Sequence, residues 1–364
     1  MKILHCADLH LDSKMNILRD TDKAKARRAE LLRNFDRMVS YAIDEGIKDI
    51  LIAGDMFDTG TVSATARKTV KNTIDANPEI HFYYLKGNHD RDNFISGMES
   101  IPDNLFLFSD DKWTEYRLGT HITLNGAELN ASNADILYNS LVLNQDCFNI
   151  VMLHGQESEA RPGDRTVAVS LPALRNKGID YLALGHIHGY REGILDRRGV
   201  YCYPGCLEGR GYDETGRHGF VVLDIDEASH SFTRTFVDFA VRTVEEIDVD
   251  ISECISNVDI VTKICSEVTF NIENYLKINL VGAMDVERDD IDIEYITGCL
   301  SGKTYHIKVK DMTTLRVNLD DYLFEESLKG EFVRMVQVQD LSDEEKAAVI
   351  RYGFEAISGG KLDS

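Results

Sequence analysis

Proline is scarce in this 364-residue chain, with five occurrences, and tryptophan occurs once. The first shortage excludes a Pro-rich linker or stalk. The second leaves Trp113 without a companion motif, so packing in a core or at its rim is its expected role. Cysteine is neither abundant nor paired. The seven (Cys6, Cys147, Cys202, Cys206, Cys254, Cys265 and Cys299) form an odd set with no C-x-x-C spacing, mostly inside apolar runs. That excludes a disulfide-stapled scaffold and a thiolate zinc cluster, and implies a reducing compartment. No apolar run approaches the roughly 18–20 residues that span a bilayer. Met1-Lys2 leads straight into a short apolar segment rather than a secretory leader. The expectation is a soluble, cytoplasmic protein with no membrane partner.

Basic charge is the other shortage: 40 Lys and Arg stand against 62 Asp and Glu, a net charge of −22. This excludes a protein that coats nucleic acid by electrostatics alone. It leaves room for one that acts on nucleic acid at a single metal-charged site. The imbalance is uneven. Residues 1–240 hold 36 acids and 27 bases, whereas 241–364 hold 26 acids and 13 bases. Against this trend, Lys14–Arg37 carries eight bases and four acids. Its Lys23, Lys25, Arg27, Arg28, Arg33 and Arg37 suit either a solvated helix face or a phosphate or dimer contact.

What is present is ample core material, 43% hydrophobic residues, in a chain long enough for two or three domains at about 150 residues each. Short apolar runs at Ile3–Ala7, Asp49–Gly54, Ile80–Leu85, Phe148–Leu153 and Asp180–Leu184 read as buried strands. Between them, three- and four-residue spacing at Leu31, Leu32, Phe35, Met38, Val39 and Ala42 predicts an amphipathic helix, and Ser63–Ala76 a second. Val200–Tyr203, Phe220–Ile225 and Phe232–Phe239 follow as strands without intervening helices. Alternating β and α followed by a run of strands predicts an α/β sandwich over 1–240. From about Val241 a βαβαβ pattern predicts a small α/β capping domain over 241–320. Two helices, Leu323–Val338 and Ser342–Ile357, make a C-terminal helical segment over 321–364 that suits docking on a partner or packing on its own domain. Ser342 followed by Glu345 is a capping-box pattern.

The chemistry lies where those strands end. Asp8 and His10 follow the first strand, Asp55 the second, and Gly87-Asn88-His89-Asp90 the third. His154-Gly155 and Gly185-His186-Ile187-His188 close two later strands. In open α/β sheets ligands bind beyond the carboxyl ends of the strands, so these residues are expected to converge. The set offers carboxylate, amide and imidazole donors and no thiolate, which suits Mn, Fe or Zn. It exceeds what one ion needs. Two ions held ~3.5–4 Å apart would share a carboxylate, and Asp55 is the natural bridge. His89, beside Asn88, is placed to act as an acid or hydrogen-bond donor to a phosphoryl or leaving group.

The run Asp8-x-His10, Gly54-Asp55, Gly87-Asn88-His89-Asp90, His154-Gly155 and Gly185-His186-x-His188 resembles the calcineurin-like metallophosphoesterase signature, complete and in order. The resemblance implies a four-layer α/β-β/α sandwich with a di-metal centre. It implies that Asp8, His10, Asp55 and His188 hold one ion, that Asp55, Asn88, His154 and His186 hold the other, and that His89 is the catalytic histidine. His5–Ser13, Gly54–Gly60, Tyr181–His188 and Tyr203-Pro204-Gly205 further resemble the SbcD-type DNA repair nucleases. Leu328–Arg334 is similar to the tail of a shorter, YhaO-like branch. That narrower resemblance implies manganese-dependent exonuclease and endonuclease action on DNA in double-strand-break repair. It also implies an SbcC/YhaN-like coiled-coil ATPase partner and a homodimer. Some nucleases of this group carry His where Asp58 stands, and Asp58 is assigned no catalytic role. A di-metal phosphodiesterase acting on a small molecule or nucleotide is the alternative, since the same residues serve both and the acidic surface suits the latter. Arg161 and Arg165, in the loop after His154, and Arg210, in the segment Glu208–Glu214, are the expected substrate-phosphate contacts.

Overall fold

A computed structural model describes residues 1–58, 62–90, 94–159, 168–285, 291–316 and 322–357. The chain divides into two compact units, Met1–Glu245 and Glu246–Ser364.

The first unit is built on two six-stranded sheets. In one, strands β1 (Lys2–Cys6), β2 (Asp49–Ala53), β3 (His81–Leu85) and β4 (Leu105–Leu107) run parallel. The sheet is extended antiparallel beyond β1 by β13 (Gly219–Asp226) and β14 (Ser231–Asp238). In the other, β6 (Ile122–Gly126), β7 (Phe148–His154), β10 (Tyr181–Gly185) and β12 (Val200–Tyr203) run parallel. Its antiparallel edges are β5 (Thr114–Arg117) and β11 (Arg191–Ile194). A short parallel pair, β8 (Gln156–Ser158) and β9 (Ala168–Ser170), stands apart.

Side-chain alternation along the strands makes the layers. On β7, Ile150 and Met152 face a core that also takes Leu51, Ala53, Tyr83 and Val221 from the first sheet. Val151 and Leu153, one residue out of phase, face a second core with Tyr138, Leu171 and Leu174. These come from helices α3 (Ala134–Ser140) and α4 (Leu171–Leu174). β10 repeats the rule, with Tyr181 and Ala183 inward and Leu182 and Leu184 outward. On the far side of the first sheet lie α1 (Thr21–Asp44) and α2 (Ala64–Ala76). Phe35 of α1 meets Phe82 of β3 with ring centroids 6.4 Å apart. The order is therefore helices, sheet, sheet, helices: the strand–helix alternation predicted an α/β sandwich, and the family resemblance its four layers. Trp113 packs against the second core and donates its indole N–H to the Leu137 carbonyl at 2.7 Å.

The second unit contains a three-stranded sheet ordered β15 (Val244–Asp250), β16 (Tyr275–Val281), β18 (His306–Asp311). Helices α5 (Asn257–Glu267) and α6 (Ile293–Leu300) share a core with it through Ile260, Ile264, Ile278, Leu280, Ile296 and Leu300. A two-stranded parallel ladder joins β17 (Ala283–Asp285) to β19 (Thr314–Arg316). Two further helices, Leu328–Gln337 and Asp343–Ile357, pack Val333 and Val336 against Ile350 and Phe354. Ser342 and Glu345 form the reciprocal capping box: the Ser342 N–H donates to Glu345 Oε2 at 2.8 Å and the Glu345 N–H to Ser342 Oγ at 3.2 Å. Among the described residues no helix is long and apolar enough to cross a membrane. All seven cysteines are free thiols.

Candidate metal centre

Five loops, following β1, β2, β3, β7 and β10, bring the strand-end residues together. The loops after β1 and β2 are fastened to each other by backbone bonds from Asp8 N–H to Gly54 O (3.0 Å), His10 N–H to Asp55 O (3.0 Å) and Leu11 N–H to Met56 O (2.8 Å). This arrangement holds non-glycine residues in left-handed backbone: φ is 50° at Asp8, 42° at His10, 52° at Asp55 and 108° at His186. Such conformations cost of order 1 kcal/mol or more each and persist where surrounding contacts over-determine them, typically at functional sites. The two sheets converge tightly here. A Cβ on Gly185 would lie 1.9 Å from the Ala53 carbonyl oxygen, and one on Gly54 2.1 Å from His154 Nδ1. Only glycine lets β10 and the His154 ring approach the end of β2.

Three groups of donors result among the described residues; two of them, Asp8 with His10 and His188, and Asp55 with His154 and His186, are made wholly of expected ligands. Asp55 lies between them: its Oδ2 is 3.3 Å from His154 Nε2 and 3.9 Å from His10 Nε2. Asn88 reaches the second group, its Oδ1 2.9 Å from His154 Nε2 and 3.0 Å from His186 Nδ1. Asp8, His10, Asp55 and His154 are buried, His186 and His188 partly so, and Asn88 and His89 exposed. Asp8 also accepts the His186 backbone N–H through both carboxylate oxygens, at 3.0 and 2.9 Å. The seven residues expected to hold metal thus meet in one place.

Acceptors at the rear of three rings favour one nitrogen facing the centre. His188 Nδ1 lies 2.7 Å from Glu214 Oε1, and His10 Nδ1 3.3 Å from Asp58 Oδ1. With protons on these two nitrogens, both Nε2 atoms would be bare lone pairs, and those atoms sit 3.2 Å apart. His154 Nδ1 donates to the Ala53 carbonyl at 2.9 Å, so its Nε2 also offers a lone pair, toward Asp55 and Asn88 oxygens. Lone pairs converging on lone pairs repel unless a cation stands among them. The donor set, nitrogen and oxygen without sulfur, therefore fits hard or borderline divalent ions.

With no cation among these donors, a proton takes that place at His154. Burial works against a charged His154, yet the Asp55 hydrogen bond and the Asp8 and Asp55 charges outweigh it and lift this imidazole to about 9. Burial likewise opposes ionisation of Asp55, but His154 and His10 hold it down to about 2. His188 is raised despite its burial, chiefly through the Glu214 hydrogen bond and the Asp8 charge. His10 and His186 are lowered, burial being the main cause in both. Asp90 is pushed up to about 6 by burial, against three backbone N–H donors from Gly87, Phe57 and Met56. The bonds from Phe57 and Met56 tie the loop after β3 to the loop after β2.

His89 stands at the mouth of the centre. Its backbone N–H donates to Asp55 Oδ1 at 2.8 Å, and its Nδ1 lies 3.2 Å from the Asp58 carbonyl oxygen. Its ring centroid is 5.2 Å from that of His10. Arg161 and Arg165 lie outside the described residues. Arg210 is directed inward, with Nη1 donating to Asp58 Oδ1 and Nη2 to Glu214 Oε1, each at 2.7 Å. Its side chain is 13% exposed. The guanidinium expected to contact substrate phosphate is thus engaged by two carboxylates.

Asp58 and Glu214 are the residues beside the centre that strand-end reasoning misses. Glu214 belongs to no strand end, and Asp58 lies three residues beyond Asp55 in the loop after β2. The signal that points to Glu214 is its i, i+4 spacing from Arg210 in a Gly-rich loop. The basic stretch in α1 divides: Arg27 is wholly buried, Arg28 pairs with Asp12 at 2.7 Å, and Lys23, Lys25 and Arg33 are exposed.

Residues 1–190 match the sequence profile of the calcineurin-like phosphoesterases. Among curated proteins, the chain is 28% identical over 249 residues to the uncharacterized metallophosphoesterase YhaO of Bacillus subtilis, an alignment covering 64% of this chain and 59% of that protein. It is 24% identical over 307 residues to the DNA double-strand break repair protein Mre11 of Sulfolobus acidocaldarius, covering 79% and 77%. It is 34% identical over 93 residues to one subunit of the SbcCD nuclease of Escherichia coli K12, covering 25% and 21%.

Proposed function

Because the chain belongs to the calcineurin-like phosphoesterase family, we propose that it is a metal-dependent phosphodiester hydrolase whose substrate is DNA, acting as the nuclease subunit of a nuclease–ATPase complex in double-strand-break repair. The observation that carries the hydrolase reading is Asp55 Oδ2 lying between two groups of inward-facing imidazole nitrogens, 3.3 Å from one and 3.9 Å from the other. Asp8, His10, Asp55 and His188 would hold one ion, and Asp55, Asn88, His154 and His186 the second. Bound there, a divalent pair supplies a nucleophilic water at neutral pH and neutralises charge on the phosphoryl oxygens.

The chain's own residues do the rest. Glu214, Asp58 and the Ala53 carbonyl fix the ring orientations. His89, with Nδ1 against the Asp58 carbonyl, turns Nε2 toward an incoming phosphodiester and donates a proton or hydrogen bond to the phosphoryl oxygen or leaving group. DNA as substrate is supported by the names of the Sulfolobus and Escherichia relatives, a break-repair protein and part of a nuclease. The motif resemblance to the SbcD-type nucleases is the ground for inferring also a coiled-coil ATPase partner of the SbcC/YhaN kind, a homodimer, and manganese as the working ion. Residues 241–320 act as a cap and 321–364 as the partner-binding segment. The free thiols support a reducing, cytoplasmic setting.

One observation favours a second reading. A net charge of −22 suits a small phosphodiester or nucleotide better than a polyanion. Incubation with Mn²⁺ and linear or hairpin duplex DNA, beside bis-p-nitrophenyl phosphate and cyclic nucleotides, separates the two. Cleavage of DNA is expected. Turnover of the small diesters with intact DNA, alone and with the cognate ATPase, would transfer the proposal to the second reading.

A further inference from the structure

We propose that Arg210 is a positioning residue for one of the two metal sites, a single buried guanidinium that orients His10 and His188 together through Asp58 and Glu214. The two histidines belong to different sheets, His10 following β1 and His188 following β10, and their Nε2 atoms face each other at 3.2 Å. Each has a carboxylate at its rear nitrogen, and both carboxylates are held by the same side chain. Arg210 Nη1 meets Asp58 Oδ1 and Nη2 meets Glu214 Oε1, both at 2.7 Å. The Arg210 backbone N–H closes the unit, donating to the other Glu214 oxygen at 2.6 Å.

A planar guanidinium presents several N–H donors in a fixed fork, so it fixes the distance between two anions as well as their charge. Carboxylates so held stay at the rear of the imidazoles and strengthen them as ligands. Asp58 shows why the restraint matters. With His10 and His89 it forms a third group of close donors, and a carboxylate free to swing could compete for the ion. Arg210 at 2.7 Å occupies the Asp58 oxygen that faces His10, and Ser13 Oγ donates to the other at 3.1 Å.

The loop that carries Arg210 is itself anchored. Arg27 donates to the Gly209 carbonyl at 3.1 Å and to the buried Glu208 carboxylate. Asn34 donates to Glu208 Oε1 at 2.7 Å. The clamp is therefore seated on α1, which contributes no metal ligand.

This inference rests on the metal-centre part of the proposed function and not on the identity of the substrate. The test is calorimetric titration of the metal-free full-length protein with Mn²⁺, comparing wild type with Arg210→Ala and Arg210→Lys, each checked for folding by circular dichroism. The proposal expects Arg210→Ala to weaken one of the two Mn²⁺ affinities by roughly 10–100-fold, the usual effect of losing such support, while the other stays at its wild-type value. Arg210→Lys keeps the charge without the fork and is expected to fall between them. Where Arg210→Ala does not fold, Arg210→Lys decides alone. Unchanged Mn²⁺ affinities in the folded variants, or an equal loss at both sites, would overturn the proposal. A wild type that binds no Mn²⁺ would overturn it together with the metal-centre reading, whereas failure to cut DNA with Mn²⁺ binding intact would count against the substrate alone.

Discussion

His89 and Asn88 are chain neighbours with separate tasks. Asn88 turns its carbonyl oxygen to His154 and His186, while His89 keeps an exposed ring at the mouth. Replacing His89 by Ala is expected to leave Mn²⁺ stoichiometry unchanged and to reduce phosphodiester turnover by roughly 10²–10⁴-fold, read by titration and by steady-state kinetics on one preparation. Gly54→Ala has the opposite profile. With φ at +92° and a Cβ 2.1 Å from His154 Nδ1, the substitution displaces a ligand. Mn²⁺ binding is expected to fall with activity. The ligands are legible in the sequence because each terminates an apolar run, so their place in the fold is implied by the strand before them. Glu214 and the inward role of Arg210 are hidden for a physical reason: both work through other side chains, from a loop whose path no periodicity encodes.

The helix α1 shows how an element remote from the chemistry supports it. Arg27 is fully buried, and bonds Glu208, the Gly209 carbonyl and Glu30. Removing one partner of a buried charge pair typically costs about 3–5 kcal/mol. Arg27→Met is expected to lower the urea midpoint accordingly at unchanged m-value. Glu30, half-buried, accepts from Arg27 at 2.6 Å and from Arg242 at 2.9 Å. Burial opposes its ionisation, but the hydrogen bonds from Arg242 and Arg27 prevail and hold the carboxyl below its ordinary 4.5. A depressed carboxyl contributes stability that is fully present above its unfolded pKa and is lost as pH falls through the folded one. Thermal melts between about pH 3 and 7 should therefore show a smaller acid-side loss in Glu30→Gln than in wild type; superimposable curves would remove Glu30 from the account. Among the elements, α1 and α2 are legible from their 3.6-residue period, and β1, β2, β3, β7 and β10 from continuous apolar runs, whereas the buried β6 is missed. The edge strands β5 and β11 and the three-residue β4 are not legible either, since a few half-exposed residues carry no pattern and owe their form to the neighbouring strand.

For the molecule as a whole, the −22 charge and a DNA substrate are reconciled by position. Two divalent ions would place +4 where the buried Asp8 and Asp55 supply −2, and more than half of the negative excess lies in residues 241–364. Long-range attraction to DNA is weak in such a protein, so its affinity for duplex alone should be low. Titration with and without the partner ATPase checks this; tight binding by the chain alone would contradict it. The central claim is that Asp55 joins two ions in one centre. Electron paramagnetic resonance of the Mn²⁺-loaded protein tests it most directly. The account predicts two ions per chain with the multiline spectrum of an exchange-coupled pair, and loss of that coupling in Asp55→Asn. A spectrum of isolated Mn²⁺ at one ion per chain would contradict it.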